Sequence, residues 1–227
     1  MTQPFIAVAM PSGGSIRHNT SLCLARLAAY TAASGISLCF PDYKASDIAQ
    51  ARNSVVRGIL ETECTHIMWI DADQIFPADG LIHLLSWSLP MVGALYSTRE
   101  PPYRVVGILK DEAAYVKGGL QEADYLPGGF CLVEMDAYRQ MGAGPWYEER
   151  YVPELAGEGN PFGFMSDDVH FFRRAREKFG IQCWADLELS AEIGHIGTRT
   201  MFIAPQVIGQ EATAPIASAQ DEALKPV

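Results

Sequence analysis

Two carboxylate pairs and a glycine-flanked histidine are the residues of this sequence whose types and spacing could do chemistry. The first pair closes an apolar run, Ile67-Met68-Trp69-Ile70-Asp71-Ala72-Asp73. Side chains alternate along a strand, so carboxylates two apart at its end point the same way. Two such groups repel and raise each other's pKa unless a cation sits near them. A divalent ion with oxygen ligands, keeping positions open for phosphate oxygens, is their natural partner. The plainer alternative is a strand-end turn in which Asp73 caps the next segment.

The second pair, Asp167-Asp168, follows Ser166 at the start of a helical pattern. Acids favour helix N-termini through the dipole, and that alone accounts for many such pairs. Held beside an acceptor hydroxyl, one of them would serve as a general base. The histidine is His195, in Glu192-Ile193-Gly194-His195-Ile196-Gly197. Its glycines permit close backbone approach and leave the imidazole free to enter a site. An imidazole beside carboxylates suits an ion of the Mn²⁺ type.

The elements that must position these groups alternate between β-rich runs and helical patterns, which predicts a mainly parallel sheet covered by helices. Strands are predicted at 5–10, 36–40, 66–70, 91–96, 130–135 and 181–186. A first helix is capped at Asn19 or Thr20, turns Leu22, Leu24, Ala25 and Leu27 inward, and stops at Gly35. Ser46 caps a second helix, with Ile48, Ala51, Val55, Ile59 and Leu60 at helical spacing. Pro77 opens a third and Asp136 caps a short fourth. Ser166 caps the helix at 167–179, which Gly180 stops. The 144–165 segment, rich in Gly, Pro, Glu and aromatics, reads as a long substrate-facing loop. A single domain over 1–204 is followed by an aperiodic tail, 205–227, predicted to be disordered.

Composition narrows the classes. The 227 residues carry 17 basic against 27 acidic side chains, a net charge of −10, which opposes wholesale binding of nucleic acid. A local basic path at Arg99, Arg104, Arg173 and Arg174 stays compatible with that total. Apolar residues at 48% fit a packed domain and exclude a disordered chain. Five scattered cysteines without a Cys-x-x-Cys pair argue against a disulfide scaffold or zinc ribbon and predict reduced, buried thiols. The start lacks the basic and long apolar regions of a signal peptide, and no run is long enough to span a bilayer, so a cytoplasmic protein is expected.

Taken in order, four features resemble a GT-A glycosyltransferase of the family-2-like group found in bacteria and their phages. They are the apolar first strand ending at Pro11, the Ala51-Arg52-Asn53 helix segment, the Trp-Ile-Asp-Ala-Asp strand end with Pro77 after it, and the Asp167-Asp168 helix followed by His195. The resemblance spans residues 5–203. It implies a Rossmann-like three-layer sandwich and a metal-dependent transfer, of the hexosyltransferase type, from a nucleoside-diphosphate sugar, with a UDP-sugar favoured, to a hydroxyl acceptor. It further implies that Asp73, Asp71 and His195 surround Mn²⁺ or Mg²⁺, with Asp71 touching the ribose or the metal shell. Pro11 and Ser12 would line the nucleoside pocket, Arg52 would contact base or diphosphate, and Gly128-Gly129 would border the sugar sites. Asp167 or Asp168 would be the base, at a position where the family more often has Glu-Asp. Phage members of the group bring in a hydroxymethylated DNA base as one acceptor.

Other classes fit less well. A sugar nucleotidyltransferase needs a Gly-Gly-x-Gly-x-Arg cradle for triphosphate, and Gly13-Gly14-Ser15-Ile16-Arg17 lacks its third glycine. A phosphohydrolase with an aspartyl nucleophile would carry Asp-x-Asp on its first core strand, whereas this chain carries it on the third. A non-catalytic nucleotide-sugar-binding module would explain the fold but not the two carboxylate pairs.

Overall fold

The computed structural model describes residues 3–11, 14–41, 47–116, 118–157, 160–197 and 200–203. Ser12, Gly13, Ser46 and the tail from 204 onward lie outside them. The chain opens with β1 (Phe5–Ala9), α1 (His18–Ala33), β2 (Ser37–Cys39), α2 (Ile48–Leu60) and β3 (His66–Ile70). Next come β4 (Gln74–Ile75), α3 (Gly80–Ser86), β5 (Met91–Gly93), β6 (Tyr96–Ser97), β7 (Val105–Val106) and β8 (Ile108–Leu109). A 3₁₀ turn at Glu112–Val116 leads to β9 (Leu120–Tyr125), β10 (Phe130–Glu134) and α4 (Met135–Gln140). The last third holds β11 (Arg150–Tyr151), β12 (Phe164–Met165), α5 (Asp167–Phe179), β13 (Cys183–Asp186), α6 (Leu187–Ser190), β14 (Gly194–Ile196) and β15 (Thr200–Phe202).

Eight strands form one sheet in the order β2-β1-β3-β10-β5-β13-β9-β8. Six of them run the same way, and β10 and β9 run against the rest. The sheet is therefore mixed, with a parallel majority. Alternation along each strand feeds two apolar layers. Ala7, Ile67, Trp69, Cys131 and Val133 face α2, α4 and α5. Ile6, Val8, Met68, Ile70 and Leu132 face α1 and α3. Helices on both faces of one sheet make the α/β sandwich expected from the alternating pattern.

The reversal of β10 is what assembles the site. It pairs antiparallel with β3 in the register Phe130↔Ile70 and Cys131↔Trp69. Its beginning, Gly128-Gly129, is thereby delivered to the carboxyl end of β3, where Asp71 donates its N–H to the Gly129 carbonyl at 2.9 Å. A parallel neighbour would have put its start at the opposite edge. Past the carboxyl end of β3, β4 joins β14 in the register His195↔Gln74, and so His195 is brought to the same end.

Helix starts were the weakest sequence expectation. The first begins at His18 after Arg17, with no side-chain cap, instead of at Asn19 or Thr20. Its buried face is Thr20, Cys23, Leu27 and Thr31, spaced by three and four, while Leu22 and Ala25 face solvent. Asp47, accepting from the Gln50 N–H, caps the second helix, and Ile48 in its first turn is exposed. Pro77 lies three residues ahead of α3, and Asp136 sits inside α4, which starts at Met135. The 144–165 segment is not all loop, because β11 and β12 pair within it. By contrast α5 has its expected bounds: Ser166 holds the N-cap position, though without a side-chain cap bond, acids fill the first turn, Arg176 and Lys178 the last, and Gly180 ends it at φ 68°. All five cysteines are free, and four are buried. Among the described residues no helix is long and apolar enough to cross a membrane.

Candidate functional site

Two adjoining clusters form at the carboxyl end of β3. One is centred on Arg52, which α2 projects into the sheet-facing core and which is only 4% exposed. Its Nη1 donates to Asp167 Oδ2 at 2.9 Å, and its Nη2 lies 3.9 Å from Asp71 Oδ1. The guanidinium also lies over the rings of Trp69 and Tyr147, 5.9 and 5.4 Å from their centroids. Burial alone would lower its pKa, but Asp167, Asp168 and Asp71 outweigh that and hold it charged. The next residue, Asn53, pins the segment that supplies Tyr147: its Oδ1 accepts from the Trp146 and Tyr147 N–H groups at 2.8 and 3.1 Å.

The glycines beside Arg52 are steric necessities. A Cβ on Gly128 would strike the Arg52 guanidinium, and one on Gly129 would strike Asp71 Oδ2 and the Tyr96 hydroxyl. The Gly128 N–H donates to Asp168 Oδ2 at 3.0 Å, and the Val169 N–H donates to Asp168 Oδ1 at 2.8 Å. The Ser166 hydroxyl also donates to Asp168 Oδ1. These contacts separate the two acids. Asp167 is buried and paired with Arg52, whereas Asp168 is half-buried and oriented by three neutral donors. Burial pushes the Asp167 carboxyl up, against the pull of Arg52.

The other cluster is Asp73, His195 and Arg99. His195 Nδ1 lies 2.7 Å from the Ser97 carbonyl oxygen, which can only accept, so Nδ1 carries the proton. The other ring nitrogen, Nε2, faces Asp73 Oδ1 at 3.5 Å. An unprotonated Nε2 facing a carboxylate calls for a proton or a cation between them. The other oxygen, Asp73 Oδ2, accepts from Arg99 Nη1 at 2.8 Å. Burial raises the Asp73 carboxyl, but His195 and Arg99 together hold it below its ordinary value.

Asp71 and Asp73 do not share one direction as strand alternation implied. The strand ends at Ile70, and the turn after it frees the side chains to diverge. Asp71 accepts from the Tyr96 hydroxyl at 3.2 Å, and burial pushes its carboxyl up. Among the described residues no three His, Cys, Asp or Glu side chains converge as a metal-binding group. The donor set at Asp73 and His195 nonetheless suits a divalent cation: one carboxylate oxygen, plus an imidazole fixed by a carbonyl behind it. Asp71 stands outside that pair.

Of the residues expected at the site, the fold gathers Arg52, Asp71, Gly128, Gly129, Asp167 and Asp168 around one centre, and Asp73 and His195 beside it. Pro11 is buried at the end of β1, and Ser12 lies outside the described residues. Three of the four arginines read as a basic path are engaged locally: Arg173 with Glu177, Arg174 with the Pro145 carbonyl, and Arg99 with Asp73. Sequence reasoning missed Tyr96 and Ser97 as site residues and took Arg99 only for part of a basic path. They follow β5, a strand parallel to β3, and the carboxyl ends of parallel strands are where open α/β sheets hold ligands. That position was the available signal.

No protein-family model matches the chain, and no curated protein matches it. Among solved structures it is similar to A197 from STIV, with 15% identity and a TM-score of 0.54 over 89% of this chain and 87% of that one. At that identity the likeness concerns the fold alone.

Proposed function

We propose that this chain is a metal-dependent glycosyltransferase of the GT-A type, moving a sugar from a nucleoside-diphosphate sugar to a hydroxyl acceptor. The observation that carries this reading is the facing of His195 Nε2 and Asp73 Oδ1, 3.5 Å apart, with the other imidazole nitrogen locked on a carbonyl. Asp73 and His195 would hold Mn²⁺ or Mg²⁺, and the bound ion supplies charge stabilisation for a departing diphosphate. Asp71, drawn toward Tyr96, would meet ribose hydroxyls rather than the ion. Arg52, buried and paired with Asp167, would fix Asp167 and Asp71 in position rather than contact base or diphosphate.

Asp168 is the better base of the two acids, because Asp167 is committed to Arg52. In the transfer, the bond between the anomeric carbon and the diphosphate oxygen breaks, and the diphosphate leaves with the electron pair. The acceptor oxygen bonds to that carbon, and its proton passes to the Asp168 carboxylate. Exposed Tyr151, Phe162 and Phe164, in the segment running into α5, offer flat faces to a sugar ring or a nucleobase. A hydroxymethylated DNA base is one acceptor of that shape.

A thermal-shift screen of nucleoside-diphosphate sugars with Mn²⁺, UDP-sugars first, finds the donor, and mass spectrometry on glycan and hydroxymethylated DNA acceptors finds the product. Transfer is expected to fall about a thousandfold in Asp73→Ala, and comparably in Asp168→Asn but not through lost donor binding. Unchanged transfer in Asp73→Ala overturns the reading.

A further inference from the structure

From a surface turn the fold sets Arg99 on Asp73. It lies just past β6, in the turn closed by Thr98 and Arg104, where the Thr98 N–H donates to the Arg104 carbonyl at 2.8 Å. The backbone of this turn is seated against the histidine segment: a Cβ on Gly197 would strike the Arg99 carbonyl oxygen. Ser97, two residues earlier, accepts from His195 Nδ1. One strap thus orients the imidazole through Ser97 and covers the carboxylate through Arg99. The Arg99 side chain nevertheless remains 59% exposed, against 5% for Arg52.

We propose that Arg99 is a counter-ion latch: it occupies Asp73 until a diphosphate draws its guanidinium away, so that cation and diphosphate bind together and each tightens the other. This inference rests on the reading of Asp73 and His195 as a cation site. A guanidinium and a divalent cation compete for the same carboxylate, since Arg99 holds Oδ2 at 2.8 Å and neutralises the charge an ion needs. Guanidinium forks bind phosphate oxygens as well as carboxylates, so a diphosphate arriving beside Asp73 offers Arg99 a second partner of greater charge. The exchange is feasible because an exposed ion pair holds weakly, unlike the buried pair that Arg52 makes. The backbone, fixed on Gly197, need not move for the side chain to swing. Coupling of this kind is reciprocal: whatever factor diphosphate adds to cation affinity, the cation adds to diphosphate affinity.

The test is Mn²⁺ titration of the full chain, followed by the paramagnetic resonance of free Mn²⁺, with and without UDP. Wild type, Arg99→Ala, Arg99→Gln and Asp73→Asn are compared. Without UDP, Arg99→Ala and Arg99→Gln are expected to bind Mn²⁺ about two- to fivefold more tightly than wild type. UDP is expected to tighten Mn²⁺ binding more in wild type than in either variant. Equal Mn²⁺ affinity of wild type and both variants without UDP overturns the latch while leaving the cation site standing. The cation site is judged separately: Asp73→Asn is expected to lose Mn²⁺ in both arms, and wild-type affinity in that variant overturns the site and the latch together.

Discussion

The Arg52 centre and the Asp73 corner lie side by side and use the same side-chain types, yet they are built for different work. At the centre, a buried guanidinium is shared between Asp167 and Asp71, stacked on aromatic rings and fitted against Gly128. Its charges were taken from water and repaid only through close mutual contact, so the pieces cannot be exchanged without loss. At the corner, Asp73 is held by an imidazole 3.5 Å away and by an exposed arginine. Such contacts are weak and replaceable. Burial distinguishes the part of the site that fixes geometry from the part that changes partners.

The sharpest way to break this contrast is to remove Arg52. Arg52→Met leaves Asp167 and Asp71 buried without their counter-charge, and is expected to cost about 3–5 kcal/mol of stability. For a domain of this size that corresponds to a fall of about 10 °C in melting temperature, read by calorimetry. Arg99→Met should change the melting temperature by no more than a degree or two. Equal losses in the two variants would erase the distinction.

A smaller effect is expected at the glycine that both Asp71 and Tyr96 approach. Gly129→Ala forces a methyl against the Asp71 carboxylate and the Tyr96 hydroxyl, and overpacking of this kind costs about 1–3 kcal/mol. Urea denaturation measures it. The same substitution at Gly58, whose Cβ position is open, should be neutral or slightly stabilising.

The smallest effects are in pH dependence, and they have opposite signs in the two regions. Asp73 is held below its ordinary pKa of 3.8, so its contacts stabilise the fold above that value and stop doing so as pH falls through the lower folded pKa. Asp71 is raised above 3.8 by burial, with Asp73 and Asp168 adding to it. Its ionisation therefore erodes stability as pH rises from 3.8 through the higher folded pKa. Relative to wild type, Asp73→Asn should lose stability as pH rises through the lowered folded pKa toward 3.8, and Asp71→Asn should gain it as pH rises above 3.8. Denaturation midpoints at several pH values check both slopes.

The legibility of this site in the sequence followed burial and locality. The strand at His66–Ile70 and the helix at Asp167–Phe179 were readable to the residue, one as an unbroken apolar run and the other through matching signals at both ends. The start of α1 was not, because Arg17 supplies no side-chain cap and polar Asn19 and Thr20 are better caps by type. Asp71, Asp73, Asp167, Asp168 and His195 were visible as chemistry because their types and spacing are local properties. Arg99 was visible only as one of four scattered arginines, since its partner Asp73 lies 26 positions away.

By itself, then, the sequence determined the alternation of strands and helices and the short list of groups able to hold a cation or move a proton. Those follow from periodicity and side-chain type, which are local. Only the tertiary structure decided how the acids divide. The reversal of β10 carries Gly128-Gly129 to the end of β3, and there Arg52 claims Asp167 while Tyr96 draws Asp71 aside. Asp73 is left to His195 and Arg99. Charges in a folded chain take the nearest partner in space, and distance along the chain does not set that choice.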